Sequence, residues 1–441
     1  MDGKELKPYK DRKLVGAIWK NDDNIGVPIV VFNPLAFPVK AIVALRDLAD
    51  YITDKDGNIV PTQTVRDSKT NEEQKYATAF EAEVPALGYT VYRLYLDEKK
   101  ESQPSNTFIC NDQMIENNCI RLTFSDKTGE ITSIYDKINN RELIKGQTSA
   151  VLMDETHCDT WAHGVEEFKT VAGVFANGST RLIENGPVRA TIRSVVKYNN
   201  SEITRDYSLS ADSPVIEVKT TINFSEKHRM LKFCVPLAGN DFKSYCKIPY
   251  GYIQKKNDGK EQPCGEWIAL FCDDGGIAIA TDSKYSFDAD ENVLSLTILR
   301  SAIYADHFGK RDEFCEYMEQ GISQFTYSIF PYSSITDTER KAQELNNKPT
   351  VIVETFHKGK LPTEFSAISV EPENIAVTAV KKNEDSDAVV LRCYETENQD
   401  THAKIQLFGK EFDVHFSHNE VKTLIVKDDK LIEADFMEWE K

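Results

Sequence analysis

Residues 181–224, RLIENGPVRATIRSVVKYNNSEITRDYSLSADSPVIEVKTTINF, decide the fold class. Three long runs in it (RLIENGPVRATIRSVVKY, ITRDYSL and VIEVKTTINF) alternate apolar and polar side chains, and Asn, Gly, Ser and Pro punctuate them. Period-two alternation puts successive side chains on opposite faces of a strand, so each run predicts a strand with one buried face. The grammar continues outward. IRLTFSDKTGEITSIYD (120–136) reads as a hairpin turning at 126–129, and WIALF, GIAIATD, VLSLTIL and FTYSIFPY follow downstream. No helical pattern intervenes, so 107–335 predicts a large antiparallel two-sheet sandwich rather than a βαβ fold.

The flanks repeat the pattern on a smaller scale. Residues 1–26 are polar and aperiodic, a lead-in. VPIVVF, VKAIVAL, YITDKDGNIV, YATAFEAEV and TVYRLYL predict a small β-sandwich over 27–97, closed by the polar break EKKESQPSN at 98–106. A helical linker is expected over 336–362, with its helix at about 337–346 and Thr336 or Asp337 near the N-cap. AISVEPENIAVTAVKK, AVVLRCYE, HAKIQLF and VKTLIV predict a C-terminal β-sandwich over 363–430.

Composition narrows the partners. The 441 residues carry a net charge of −18, which argues against nucleic acid or an anionic membrane, both of which call for a basic footprint. The nine cysteines are scattered and include no CxxC pair, as expected of reduced thiols in a cytoplasmic protein. The N-terminus lacks the apolar run of a signal peptide, and no stretch approaches the roughly 18 apolar residues of a membrane span.

Catalytic signatures are sparse. The chain has no Walker A loop, GxSxG elbow, GxGxxG after a strand, or HExxH. Two polar clusters stand out. Residues 156–164, THCDTWAHG, hold two imidazoles, a thiol, Asp159 and Trp161, a set suited to metal ligation, to stacking on a sugar, or to bracing a loop. Arg300, at the close of VLSLTIL and before Tyr304, Asp306 and His307, has a planar fork that can reach sugar hydroxyls or a carboxylate; a salt bridge to Asp306 is the structural alternative.

DETHCDTWAHGVEEF (154–168) resembles a loop of bacterial glycoside hydrolase family 38 α-mannosidases. EKHRMLKFCVP, KIPYGYIQK, GKEQPCGEWIAL, GGIAIATDSKYSFD, LTILRSAIYADH and YMEQGISQFTYSIFPY follow in that family's order. VVFNPLAFPVKAIV and VPALGYTVYRL upstream, and AVTAVKKNEDSDAVVLRCYET downstream, extend the likeness over nearly all of 27–430. The resemblance implies the C-terminal β-domains of a retaining exo-α-mannosidase, with a central supersandwich like that of galactose mutarotases. It also implies a zinc ion, held by two His and two Asp, and an Asp nucleophile, both in an N-terminal barrel whose DxFGHS-like and HHD-like motifs are not found in this chain. His157 and Asp159 have HxD spacing, but Trp161 follows two residues on rather than three.

The expectation is therefore a chain inactive alone, with no catalytic residue, metal ligand or cofactor of its own. It completes an α-mannoside site beside a zinc-dependent barrel supplied in cis or in trans. Candidate substrate-binding residues are Arg300, Asp306, His307, Asp159, Trp161 and His163. Where relatives show DQGxHxF, this chain has Glu319-Gln320-Gly321-Ile322-Ser323-Gln324-Phe325, which changes any contact made by that His. The alternative is an autonomous carbohydrate-binding or structural β-protein.

Overall fold

The computed structural model describes residues 26–46, 48–66, 75–96, 108–305, 314–354 and 359–440. It divides into two compact units, one of residues 106–346 and one joining 1–105 to 347–441.

The first unit is the large sandwich. A nine-stranded sheet contains Arg189–Tyr198, Ser201–Ser210, Ile216–Phe224, Gly321–Pro331 and Gly275–Thr281 as successive members. A six-stranded sheet contains Ser149–Asp154, Arg229–Pro236 and Val293–Arg300 side by side, and a five-stranded sheet runs from Arg141–Glu142 to Ile109–Asn111. The ladders are antiparallel, as the alternation predicts. One continuous core draws Ile192, Leu209 and Val218 from the nine-stranded sheet, Leu152, Phe233 and Leu296 from the six-stranded one, and Leu122 and Ile134 from the third. Burial of these aliphatic and aromatic side chains, at about 1.5–3 kcal/mol each, is the main force joining the sheets.

An ion pair crosses that core. Arg205 donates from Nη1 and Nη2 to the two Glu130 oxygens at 3.0 and 2.7 Å, and Thr148 Oγ1 donates to Glu130 Oε2 at 2.8 Å. With both oxygens bonded, the buried charges are compensated rather than orphaned.

The helix Ile335–Asn346 starts slightly earlier than the pattern predicts, because Ser334 Oγ accepts the Asp337 amide at 3.1 Å and so acts as the N-cap. Its Ile335, Ala342 and Leu345 pack on Trp267, Ala278 and Phe330. Buried Glu339 on the same helix accepts Lys247 Nζ at 2.7 Å and Trp267 Nε1 at 2.8 Å. Burial opposes its ionisation, but these donors prevail and hold its carboxyl below the ordinary value.

The second unit contains two smaller sandwiches. In one, Val27–Asn33 lies between Gly88–Tyr95 and Thr350–Val353, and Ile29, Val31, Phe80 and Leu94 fill its core. In the other, Thr401–Leu407 and Lys410–Phe416 belong to a three-stranded sheet that packs on the four-stranded sheet containing Val389–Glu395 and Val421–Lys427. Ala36, Ala86 and Leu87 join the core of the second sandwich. At the junction Gly88 is required for space, since a Cβ there would lie 1.9 Å from the Phe365 carbonyl oxygen. No helix among the described residues is long and apolar enough to cross a membrane.

Candidate functional site

Three neighbouring strands of the six-stranded sheet finish at one rim. Asp154 lies opposite Arg229, and Met230 opposite Arg300, so one strand start and two strand ends share an edge. The chain leaves this edge as the 155–168 loop and as 301–305, and enters it through His228. Backbone hydrogen bonds hold these segments together: Glu155 N to His228 O at 3.0 Å, His228 N to Ser301 O at 2.8 Å, and Thr160 N to Ile303 O at 3.1 Å. The two polar clusters named from sequence are therefore neighbours, joined by a bridge between Asp159 and Ile303.

Arg300 is at the centre. Its Nε donates to Glu155 Oε1 at 2.5 Å, its Nη2 to the Asp159 carbonyl at 3.4 Å, and its backbone amide to Glu319 Oε2 at 2.7 Å. The guanidinium lies 5.5 Å from the centre of the Phe168 ring. The Arg300 side chain remains 29% exposed while Glu155 is fully buried. Burial pushes the Glu155 carboxyl above its ordinary value, and Arg300 and His157 offset this only in part. Its second oxygen, Oε2, is buried with no hydrogen-bond partner among the described residues.

The loop is anchored from below by Met153, Cys158, Phe168 and Met230. Asp159 is buried, and its Oδ1 accepts the Trp161 amide at 2.9 Å. That turn, with Ala162 at φ 48° and Gly164 at φ 70°, lifts Trp161 into solvent. Trp161 is 63% exposed and stacks on His163, with ring centres 5.7 Å apart and planes 5° from parallel. Tyr304, Phe314 and Met318 are further exposed apolar side chains, and the Tyr304 and Met318 amides bond to Glu316 and Ala302 carbonyls.

Of the six residues named from sequence, the structure brings Arg300, Asp159, Trp161 and His163 to this rim; Asp306 and His307 lie outside the described residues. His157 and Asp159 do not form a metal set. His157 is exposed, with Nδ1 3.9 Å from Asp154 Oδ2, while Asp159 Oδ1 is bonded to the Trp161 amide. Among the described residues of this rim, His157 and Asp159 do not supply the two-His, two-Asp set implied for the family's zinc. Gln324, standing in the altered DQGxHxF run, donates to Thr221 Oγ1 at 3.2 Å.

Sequence reasoning missed Glu155, and a second cluster on the same sheet. Lys232 Nζ bonds both Glu261 Oε1 and Asp288 Oδ2, and Glu261 Oε2 accepts Ser286 Oγ and Thr297 Oγ1, each at 2.9 Å. Burial raises the Asp288 carboxyl despite Lys232. The only advance signal was a Lys inside an apolar run, MLKFCVP, at a position where a buried cation needs carboxylate partners.

Comparisons with known proteins bear on the same region. The family model described as the glycosyl hydrolases family 38 C-terminal domain matches residues 115–308, which include the whole rim up to Arg300 and Ile303. The model described as the family 38 C-terminal beta sandwich domain matches 374–433. Alpha-mannosidase G of Dictyostelium discoideum is 25% identical over 315 residues, 65% of this chain and 27% of that protein. An alpha-mannosidase of Saccharomyces cerevisiae is also 25% identical, over 63% of this chain and 27% of its own length. The matched part is thus about a quarter of each of these relatives. The crystal structure of an alpha-mannosidase from Enterococcus faecalis superposes with a TM-score of 0.71 at 15% identity, over 91% of this chain and 56% of that one. At that identity the likeness carries the fold alone.

Proposed function

This chain belongs to glycosyl hydrolase family 38 through that family's C-terminal domains, and from that premise we propose that it is the accessory β-portion of an α-mannosidase. Its central sandwich supplies one wall of an α-mannoside site to a catalytic barrel provided in cis or in trans, and the chain alone does not cleave the glycosidic bond. The observation that carries this reading is the convergence of three strand ends on Arg300 and the Trp161 loop, within the residues matched by the first family model.

The chemistry suits the role. Glu155 and the Asp159 carbonyl occupy Nε and Nη2 of Arg300, whereas Nη1 has no partner among the described residues and the side chain reaches solvent. A fork held this way donates to vicinal sugar hydroxyls or orients a carboxylate of the barrel, which a Lys point charge does poorly. Trp161, mostly exposed and stacked on His163, suits the apolar face of a pyranose. Exposed Tyr304, Phe314 and Met318 give the rim an apolar margin for a docked domain. None of the nine cysteines forms a disulfide, which suits a reducing cytoplasmic setting.

The test is aryl α-mannoside hydrolysis. The chain alone should show none, and activity should appear when a family 38 barrel is fused or mixed. Arg300→Lys should then lower that activity at least about tenfold with the melting temperature nearly unchanged. Equal activity, or a large fall in melting temperature, assigns Arg300 to structure. The exposed Trp161–His163 stack also favours a second reading, an autonomous carbohydrate-binding module. That reading requires mannoside binding by the chain alone.

A further inference from the structure

We propose that the C-terminal sandwich carries a surface site for one divalent late first-row transition-metal ion, Zn²⁺ being the probe of choice, with His402, His415 and Asp400 as its protein ligands. Neither the mannosidase reading nor the rim of the central sandwich contributes to this inference.

The local backbone brings the two imidazoles together. Thr401–Leu407 and Lys410–Phe416 are joined by a two-residue turn, Phe408 and Gly409, both at positive φ (48° and 81°). That turn sets the register of the hairpin, with Leu407 opposite Lys410 and, five pairs further along, His402 opposite His415. Pairs alternate away from a turn of this length between hydrogen-bonded and non-hydrogen-bonded. His402 and His415 fall in the latter class, where facing Cα atoms are about 4.5 Å apart and side chains approach most closely. Their partners on the opposite face, Ala403, Val414 and Phe416, are buried, so both imidazoles project from the solvent face. The ring centres are 4.7 Å apart.

Asp400, just before the first strand, completes the set. Its Oδ1 lies 2.9 Å from His415 Nε2. One nitrogen from each His and one carboxylate oxygen all lie within 4.8 Å of one another. Ligand atoms around a four-coordinate Zn²⁺ at about 2.0–2.2 Å are separated by about 3.4 Å, so small side-chain rotations gather these three around a single ion. In the neutral imidazole a proton on Nε2 of His415 would sit between it and Asp400, where the metal would bind; the ion takes its place, and the proton passes through solvent to Nδ1, leaving a neutral imidazole ligand. Water fills the remaining position, as in three-ligand zinc sites. The same face offers no competing ammonium at the next pair, because Lys404 is engaged by Glu411 at 3.0 Å. Two imidazoles and one carboxylate select Zn²⁺, Cu²⁺, Ni²⁺ or Co²⁺ over Mg²⁺ and Ca²⁺, which prefer all-oxygen shells.

The test is titration of the full, untagged chain with Zn²⁺ by calorimetry in a non-chelating buffer, on the parent and on His402→Ala and His415→Ala. A saturable site of one ion per chain is expected, with a Kd that rises at least about tenfold in each variant. Both substitutions are on an exposed face, and circular dichroism of each variant checks that the sandwich is intact; His415→Gln repeats the test should His415→Ala unfold. No saturable site in the parent, or a Kd that stays within tenfold in either folded variant, overturns the proposal, because the ion is then held elsewhere, as by the cysteines.

Discussion

Glu155 in the central sandwich and Glu395 in the C-terminal one are equally inaccessible, with no exposed side-chain surface. Their surroundings differ. Glu395 Oε1 accepts the Glu397 amide at 2.6 Å and Asn374 Nδ2 at 2.9 Å, and Oε2 accepts the Gln399 and Asn419 amides, both at 3.0 Å. Four neutral donors saturate it, and it serves to tie two loops to a strand end. Glu155 has one charged hydrogen-bond partner, Arg300, on one oxygen, and its other oxygen has none among the described residues. Buried polar atoms are normally bonded, so a carboxylate half-satisfied among the described residues stands in contrast to the saturated Glu395. The contrast sets a carboxylate saturated by neutral donors against one tied to a single, partly exposed Arg.

The largest effect should come from Glu395. Glu395→Ala strips partners from three backbone amides and one side-chain amide, and should cost about 3–5 kcal/mol in urea denaturation. A loss under about 1 kcal/mol would break the contrast at its structural end.

Glu155→Gln should be far milder, within about 1 kcal/mol at neutral pH, because the neutral amide sheds a desolvation cost while keeping an acceptor for Arg300 Nε. The pH dependence sharpens this. The folded-state carboxyl is raised above its ordinary 4.5, so the folded chain holds that proton longer than the unfolded one. Its stabilising contribution is present below about 4.5 and is lost as pH rises through the folded value. The parent should therefore lose stability relative to Glu155→Gln across that window, read from urea midpoints at successive pH values. A difference that grows in the opposite direction would mean that Arg300 dominates over burial.

Smallest of all should be the stability effect of Trp161→Ala, under about 0.5 kcal/mol, since the indole is mostly exposed and its loop is anchored by Cys158 and Phe168 beneath. Mannoside turnover in the barrel-supplemented enzyme should nonetheless fall. Destabilisation without loss of turnover would move Trp161 to the structural side.

Period-two alternation in 189–224 was enough to dictate long antiparallel strands, because which face a side chain occupies is a local property of an extended backbone. The same local logic marked Arg300 as the close of an apolar strand and 154–168 as a polar loop, whereas the pairing of His402 with His415 came only with the register of the folded hairpin. The sequence also contained the run of collinear motifs that identifies the family. Only the tertiary structure decided which charges meet. Glu155 is 145 positions from Arg300, and Lys232 is 56 from Asp288. Among 71 carboxylates, nothing local distinguishes the one that folding will strip of water. Desolvation depends on what strands and loops from distant parts of the chain pack above a residue, and hydrogen-bond satisfaction depends on what they bring with them. Both belong to the assembled sandwich rather than to any stretch of its sequence.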